Sequence, residues 1–152
     1  MKIVSIALVL GSTIILMTGC ASTSLKAPEH EDMKAKQFVT EKGKSNIYVY
    51  RNELYGAAVS MPVTLDGKNI GNTGADTYIK VSTEPGNHTL MSKTENDATL
   101  SLVTQKNKNY FVWQEVKMGI MSARSKLKLM SEEEGKKGVN ECKLISIDEV
   151  KK

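Results

Sequence analysis

The side chains able to do chemistry in this chain are few. There are two histidines, His30 and His88, and two cysteines, Cys20 and Cys142. A Ser-His-Asp or Cys-His arrangement in the folded part would have to run through His88. His88 follows the turn residues Pro85-Gly86 at the start of a strand. There the plainer reading is a turn histidine bonded to local backbone, and the sharper one a general base for hydrolysis of envelope material. Cys142 has only Lys143 beside it in sequence to lower its pKa, so it reads as a small buried residue, paired with Val139 on a helix face. One histidine and one thiol do not make a four-ligand metal site, and no glycine-rich phosphate loop precedes a helix. The run Glu132-Glu133-Glu134 follows Ser131. Acid groups at a helix start are explained by the helix dipole and by a capping box. No catalytic residue, metal or cofactor is assigned.

Two sets of residues suggest binding instead. Arg124, Lys126 and Lys128 alternate along one strand and form a basic stripe. Lysines of this kind also protect an edge strand from pairing with other chains. The tyrosines Tyr48, Tyr50, Tyr55 and Tyr78 could line a surface that stacks sugars such as cell-wall glycan. Tyrosine equally suits half-buried strands.

These residues belong to a chain with a distinctive start. Lys2 is followed by an uncharged run from Ile3 to Thr18, then Gly19-Cys20 and the small polar residues Ala21-Ser22-Thr23-Ser24. A positive start, an apolar core and small residues before a cut form an export signal, here too short to span a bilayer. The stretch Leu16-Met17-Thr18-Gly19-Cys20 resembles a bacterial lipobox, in which the cysteine thiol receives diacylglycerol before cleavage. Met17 departs from the Leu, Val or Ile usual at its position. Two or three acyl chains on one residue anchor a protein stably, whereas one does not. Ala21 after the cysteine resembles the pattern sent on to the outer membrane. A lipid-anchored protein facing the periplasm is expected, with the leaflet left open.

Charge and composition fit that compartment. Lys2 is the only charged residue before Cys20, so cleavage lowers the net charge from +4 to +3. That imbalance is too small to argue for nucleic acid. Roughly 130 residues remain, which suits one domain with one core. With Cys20 lipidated, Cys142 has no partner within the chain for a disulfide.

Residues 1–19 read as the signal peptide and 20–44 as a lipid-anchored tether, in which Met33, Gln37 and Phe38 could make one face of a short helix, with Phe38 docking on the domain. A flexible linker of that length would hold the domain some tens of ångströms off the membrane. From 45 to 146 the texture is period two, in short runs separated by turns. Strands are predicted at Ile47–Arg51, Met61–Leu65, Lys68–Gly71, Thr77–Val81, His88–Ser92, Thr99–Thr104, Tyr110–Val116 and Arg124–Met130. In the last, Leu127 and Leu129 are expected to face inward. Asp66-Gly67 predicts a tight hairpin turn. A short helix follows from Ser131 to about Cys142, weakened by Gly135 and Gly138, and 147–152 reads as a loose tail. The fold class is mainly β, a small antiparallel sandwich or open barrel with one short C-terminal helix.

Several of these pieces occur in a known order. Ile47-Tyr48-Val49-Tyr50-Arg51, Val63-x-Leu65-Asp66-Gly67-x-x-x-Gly71, Pro85-Gly86-x-His88, Tyr110-Phe111-Val112 and Glu134-Gly135 resemble a family of small bacterial lipoproteins, that of domain-of-unknown-function 2846. The likeness runs from about Phe38 to Leu144. The Asp-Gly-x-x-x-Gly and Pro-Gly-x-His pieces are also similar to PEGA modules, small β-domains on bacterial envelope proteins. The resemblance implies a β-rich envelope lipoprotein and carries over no catalytic residue. The expected role is a non-catalytic binding or structural module, held to the membrane through Cys20 and meeting an envelope protein or cell-wall glycan. The alternatives are an envelope hydrolase using His88 and a glycan-binding module.

Overall fold

The computed structural model describes residues 24–147. The stretch expected to be a signal peptide, Cys20 and the tail beyond Ile147 lie outside the described residues. The order is α1 (Glu29–Ala35), β1 (Ser45–Arg51), β2 (Met61–Leu65), β3 (Lys68–Thr73), β4 (Thr77–Thr83), β5 (Gly86–Lys93), β6 (Asp97–Thr104), β7 (Asn109–Met118), β8 (Ala123–Met130), α2 (Glu132–Asn140) and β9 (Lys143–Leu144). A five-stranded sheet, β8-β7-β1-β4-β9, stacks on a four-stranded sheet, β3-β2-β5-β6. Neither closes into a barrel. The pairs β1/β7 and β4/β9 are parallel, and the other ladders antiparallel.

Strand β1 is buried along its whole length, and its alternation divides the molecule into three layers. Ile47 and Val49 point between the sheets, onto Val63, Leu90 and Val112. Tyr48 and Tyr50 point the other way, onto Phe111, Val139 and Cys142 beneath the helices. The Tyr48 and Phe111 rings stack at 5.1 Å, and the Tyr48 hydroxyl donates to the Ala35 carbonyl at 2.9 Å. Asp66 and Gly67 both take positive φ, 50° and 81°, as the β2–β3 hairpin requires. Pro62 is tolerated because the β2–β5 ladder begins only at Val63. Ser131 caps α2 by accepting from the Glu134 N–H, and its hydroxyl donates back to the Glu134 carboxylate.

Three expectations need correction. There are two helices rather than one, because the stretch read as a tether is, from Ser24 onward, part of the fold. Ser24 exchanges hydrogen bonds with Asn72 on the edge of β3, and Lys26 bridges Ile145. Helix α1 then buries Ala35 and Asp32. The Asp32 carboxylate accepts from Lys36 at 3.0 Å and from the Leu144 N–H at 2.9 Å. Burial alone would raise its pKa, yet these two donors hold it below the usual carboxylate range. Phe38 does dock, 5.4 Å from the Tyr48 ring. The third correction is Leu129, which is 52% exposed. Strand β8 lies at the sheet edge, with β7 on one side only.

Candidate functional site

Strand β7 alternates Phe111, Trp113, Glu115 and Lys117 onto the helix side of its sheet. Strand β8 sets Lys128 opposite Trp113, Lys126 opposite Glu115, and Arg124 opposite Lys117. Helix α2 covers only part of this face, with Gly135 on Phe111 and Gly138 on Tyr50. Beside it lies a cleft of about 340 Å³, lined by Tyr50, Asn52, Trp113, Met130, Glu134, Lys137, Gly138 and Glu141. The three predicted cations do share this face, and β8 is an edge strand, so they also guard that edge.

Their roles differ. The Lys128 ammonium lies 4.7 Å over the Trp113 ring and 2.6 Å from Glu115, which also pairs with Lys117. Those two lysines hold the Glu115 carboxyl below its ordinary pKa. Arg124 and Lys126 are exposed and make no ion pair among the described residues. The Trp113 indole N–H is buried, with no hydrogen-bond partner among the described residues. The strand predicted at Tyr110–Val116 contains Trp113, which the residue types alone do not single out as part of a site. Its period-two position opposite Lys128 was the available signal.

The β7–β8 hairpin ends in an apolar tip. Met118, Ile120 and Met121 are 79%, 92% and 94% exposed. The tip is nonetheless held: the Ile120, Met121 and Ser122 N–H groups all donate to the Glu95 carboxylate at 2.8–2.9 Å. These three donors keep the Glu95 carboxyl below its ordinary pKa.

His88 is on the other sheet. Its Nδ1 lies 2.7 Å from Asp66 Oδ2, and its Nε2 lies 2.8 Å from the Glu84 carbonyl and 3.4 Å from Thr83 Oγ1. Hydroxyl, imidazole and carboxylate thus fall in the order of a catalytic triad. A carboxylate and a carbonyl only accept, however, so this geometry suits the doubly protonated ring, in which neither nitrogen offers Thr83 a lone pair. Burial by itself would lower the His88 pKa, but the Asp66 carboxylate and the Glu84 carbonyl raise it. The His88 hydrogen bond and the Thr89 N–H lower that of Asp66. The ion pair staples the β2–β3 turn to β5. Because Asp66 is half exposed, His88→Gln is expected to cost only about 1 kcal/mol. The depressed Asp66 contributes above about pH 4 and is lost as pH falls through its folded pKa. The raised His88 contributes below about pH 6.5 and is lost as pH rises through its folded pKa. Urea unfolding against pH should therefore show the largest gap between wild type and variant at mildly acidic pH.

The remaining candidates are structural. Cys142 is a free, buried thiol donating to the Arg51 carbonyl at 3.5 Å, and burial pushes its pKa up to about 12. Tyr48, Tyr50 and Tyr78 are 0%, 3% and 0% exposed, which overturns the sugar-stacking surface. They sit mid-sheet under α1 and α2, and of the four only Tyr55 is exposed. Among the described residues no group of His, Cys, Asp and Glu is placed to hold a metal ion.

Residues 41–126 match the family described as "Protein of unknown function (DUF2846)". The chain belongs to the DUF2846 family. An uncharacterized protein of Haemophilus influenzae is 33% identical over 132 residues, covering 86% of this chain and 78% of that protein. No solved structure matches. The DUF2846 match takes in β1 to β7 and part of β8, with Arg124, Lys126 and the apolar tip. Both helices, and with them the wall of the cleft, lie outside the matched residues.

Proposed function

We propose that this DUF2846 protein is a non-catalytic docking module of the bacterial envelope, lipid-anchored through Cys20 at the outer membrane. In this reading the β7–β8 face binds a partner protein that presents carboxylates beside an apolar surface. The observation that carries it is the joining of two features on one hairpin. Unpaired Arg124 and Lys126 stand on the same hairpin as an apolar tip that Glu95 holds through three backbone hydrogen bonds. A pre-ordered apolar contact with a cationic rim suits protein recognition, since ordering costs are already met and charges steer the encounter. His88, engaged at both nitrogens, supports a stapling role over a hydrolytic one. The pieces similar to PEGA modules fit the same view, since Asp66 and His88 bond to each other and brace the β-module.

Reversal of Arg124 and Lys126 to glutamate is expected to weaken partner capture on the order of tenfold and flatten its salt dependence. Capture is measured on envelope extracts at two salt concentrations. In complementation of a deletion strain, folded His88→Gln should behave as wild type. Loss of function in that variant, with capture untouched by the charge reversals, would favour the hydrolase reading.

A further inference from the structure

The anchor expected at Cys20 and the start of the fold at Ser24 are four residues apart. Fully extended, that length spans at most about 14 Å. A tether of the length first expected would have allowed roughly twice that distance. Ser24 cannot drift from the fold: its N–H donates to the Asn72 carbonyl at 3.0 Å, and its hydroxyl accepts from the Asn72 N–H at 2.9 Å. The next residues are fixed as well, through Ser146 N–H to the Leu25 carbonyl at 2.7 Å and Ala27 N–H to the Leu144 carbonyl at 2.8 Å.

The surface at this point has the chemistry of a bilayer contact. Leu25 is 79% exposed and Ile147 is 40% exposed, two large apolar side chains on neighbouring segments. Ile147 borders a groove of about 570 Å³ along β9, whose lining includes Lys34, Lys80 and the single carboxylate Glu31. Lys26 is exposed beside Leu25 and lines a second depression with Glu29, Asp32 and Lys143. The two depressions together hold four lysines and three carboxylates, one of which, Asp32, is already paired with Lys36. Apolar side chains amid an excess of lysine suit the boundary between acyl chains and anionic headgroups.

We propose that the surface around Ser24, with Leu25 and Ile147 as its apolar contacts and Lys26, Lys34 and Lys80 as its cations, lies directly on the lipid bilayer. The proposal rests on lipidation of Cys20. It deepens the anchoring reading by assigning the domain a fixed, membrane-apposed side. The β7–β8 face, at the opposite edge of the five-stranded sheet from β9, is then left clear for a partner.

The test uses the full chain, purified from membranes and reconstituted in phosphatidylglycerol–phosphatidylcholine vesicles containing lipids with a quencher on the acyl chain. A fluorophore is placed through Leu25→Cys or, as a control on β6, Val103→Cys, itself 67% exposed. Cys142 is buried and stays unlabelled in the folded protein. Several-fold stronger quenching at position 25 than at 103 is the expected result. Mass spectrometry of the same preparation reads the lipid on Cys20. Lipid present with equal quenching at both positions would overturn the membrane-apposed side and leave anchoring intact. Absence of lipid would overturn both.

Discussion

Alanine at Gly138 is expected to destabilise the protein by about 2–3 kcal/mol, as overpacking of a tight interface does. Helix propensity alone predicts the opposite, a gain of about 1 kcal/mol when alanine replaces glycine mid-helix. The difference lies in how closely α2 approaches the sheet. A β-carbon at Gly138 would sit 2.2 Å from Tyr50 Cε2 and 2.6 Å from its Cζ. At Gly135 it would sit 2.2 Å from Phe111 Cβ and Cγ. Neither ring can swing aside, because Tyr50 is 3% exposed and Phe111 1%. The substitution must therefore lift α2 from the sheet, uncovering Val139, or distort the aromatic layer. Urea denaturation measures the cost, and a Tyr50→Leu background should shrink it by removing the clashing atoms. A rise in stability for Gly138→Ala would mean that α2 does not pack as described.

The second large effect is expected at Arg51. Its side chain is fully buried, and its guanidinium donates to the carbonyls of Val59 and Gly56 at 2.6 Å and 2.5 Å. These bonds pin the loop between β1 and β2. Burial lowers the Arg51 pKa, and the nearby Glu53 and Asp76 oppose that effect. Arg51→Met keeps most of the volume but leaves the half-buried Val59 carbonyl without its guanidinium donor, and the Gly56 carbonyl with only the Val59 N–H, at a cost of about 3 kcal/mol. Arg51→Lys should recover less than half of that, since one ammonium does not span the guanidinium fork. Loop cleavage by a protease, read beside the unfolding curves, should rise in both variants. Unchanged cleavage in Arg51→Met would mean the loop is held by other contacts.

Local pattern made the strands legible. Alternation located β1 to β8 to within two residues at every end, and Asp66-Gly67 marked its hairpin. The strand order was not legible, since β1 pairs β7 in parallel across some sixty residues of intervening chain, and no local signal encodes such a partner. Helix α1 was legible only as a short helical face of Met33, Gln37 and Phe38 within a tether, and its attachment to the fold was missed for a different reason. Its attachment relies on backbone hydrogen bonds and the buried Asp32, whereas the reading looked for apolar residues. Gly135 and Gly138 were seen only as a weakness of the helix, because close approach becomes visible once Phe111 and Tyr50 lie opposite. At the candidate site, Arg124, Lys126 and Lys128 were legible as one face. What they stand beside depends on the β7–β8 register and on where α2 ends, and so does the separate fate of Lys128. The tyrosines show the converse. Residue type grouped them as a surface, and only the helices packed above reveal that Tyr48, Tyr50 and Tyr78 are core.

Photo-crosslinking in intact cells tests the docking reading most directly. A photoreactive residue replaces Lys137, exposed on the rim of the cleft, or Val103 on the opposite sheet as the control. A discrete protein adduct from position 137, absent from position 103 and lost when Arg124 and Lys126 are reversed to glutamate, is the predicted result. No adduct at 137, or the same adducts from both positions, would contradict the assignment of this face as the docking site.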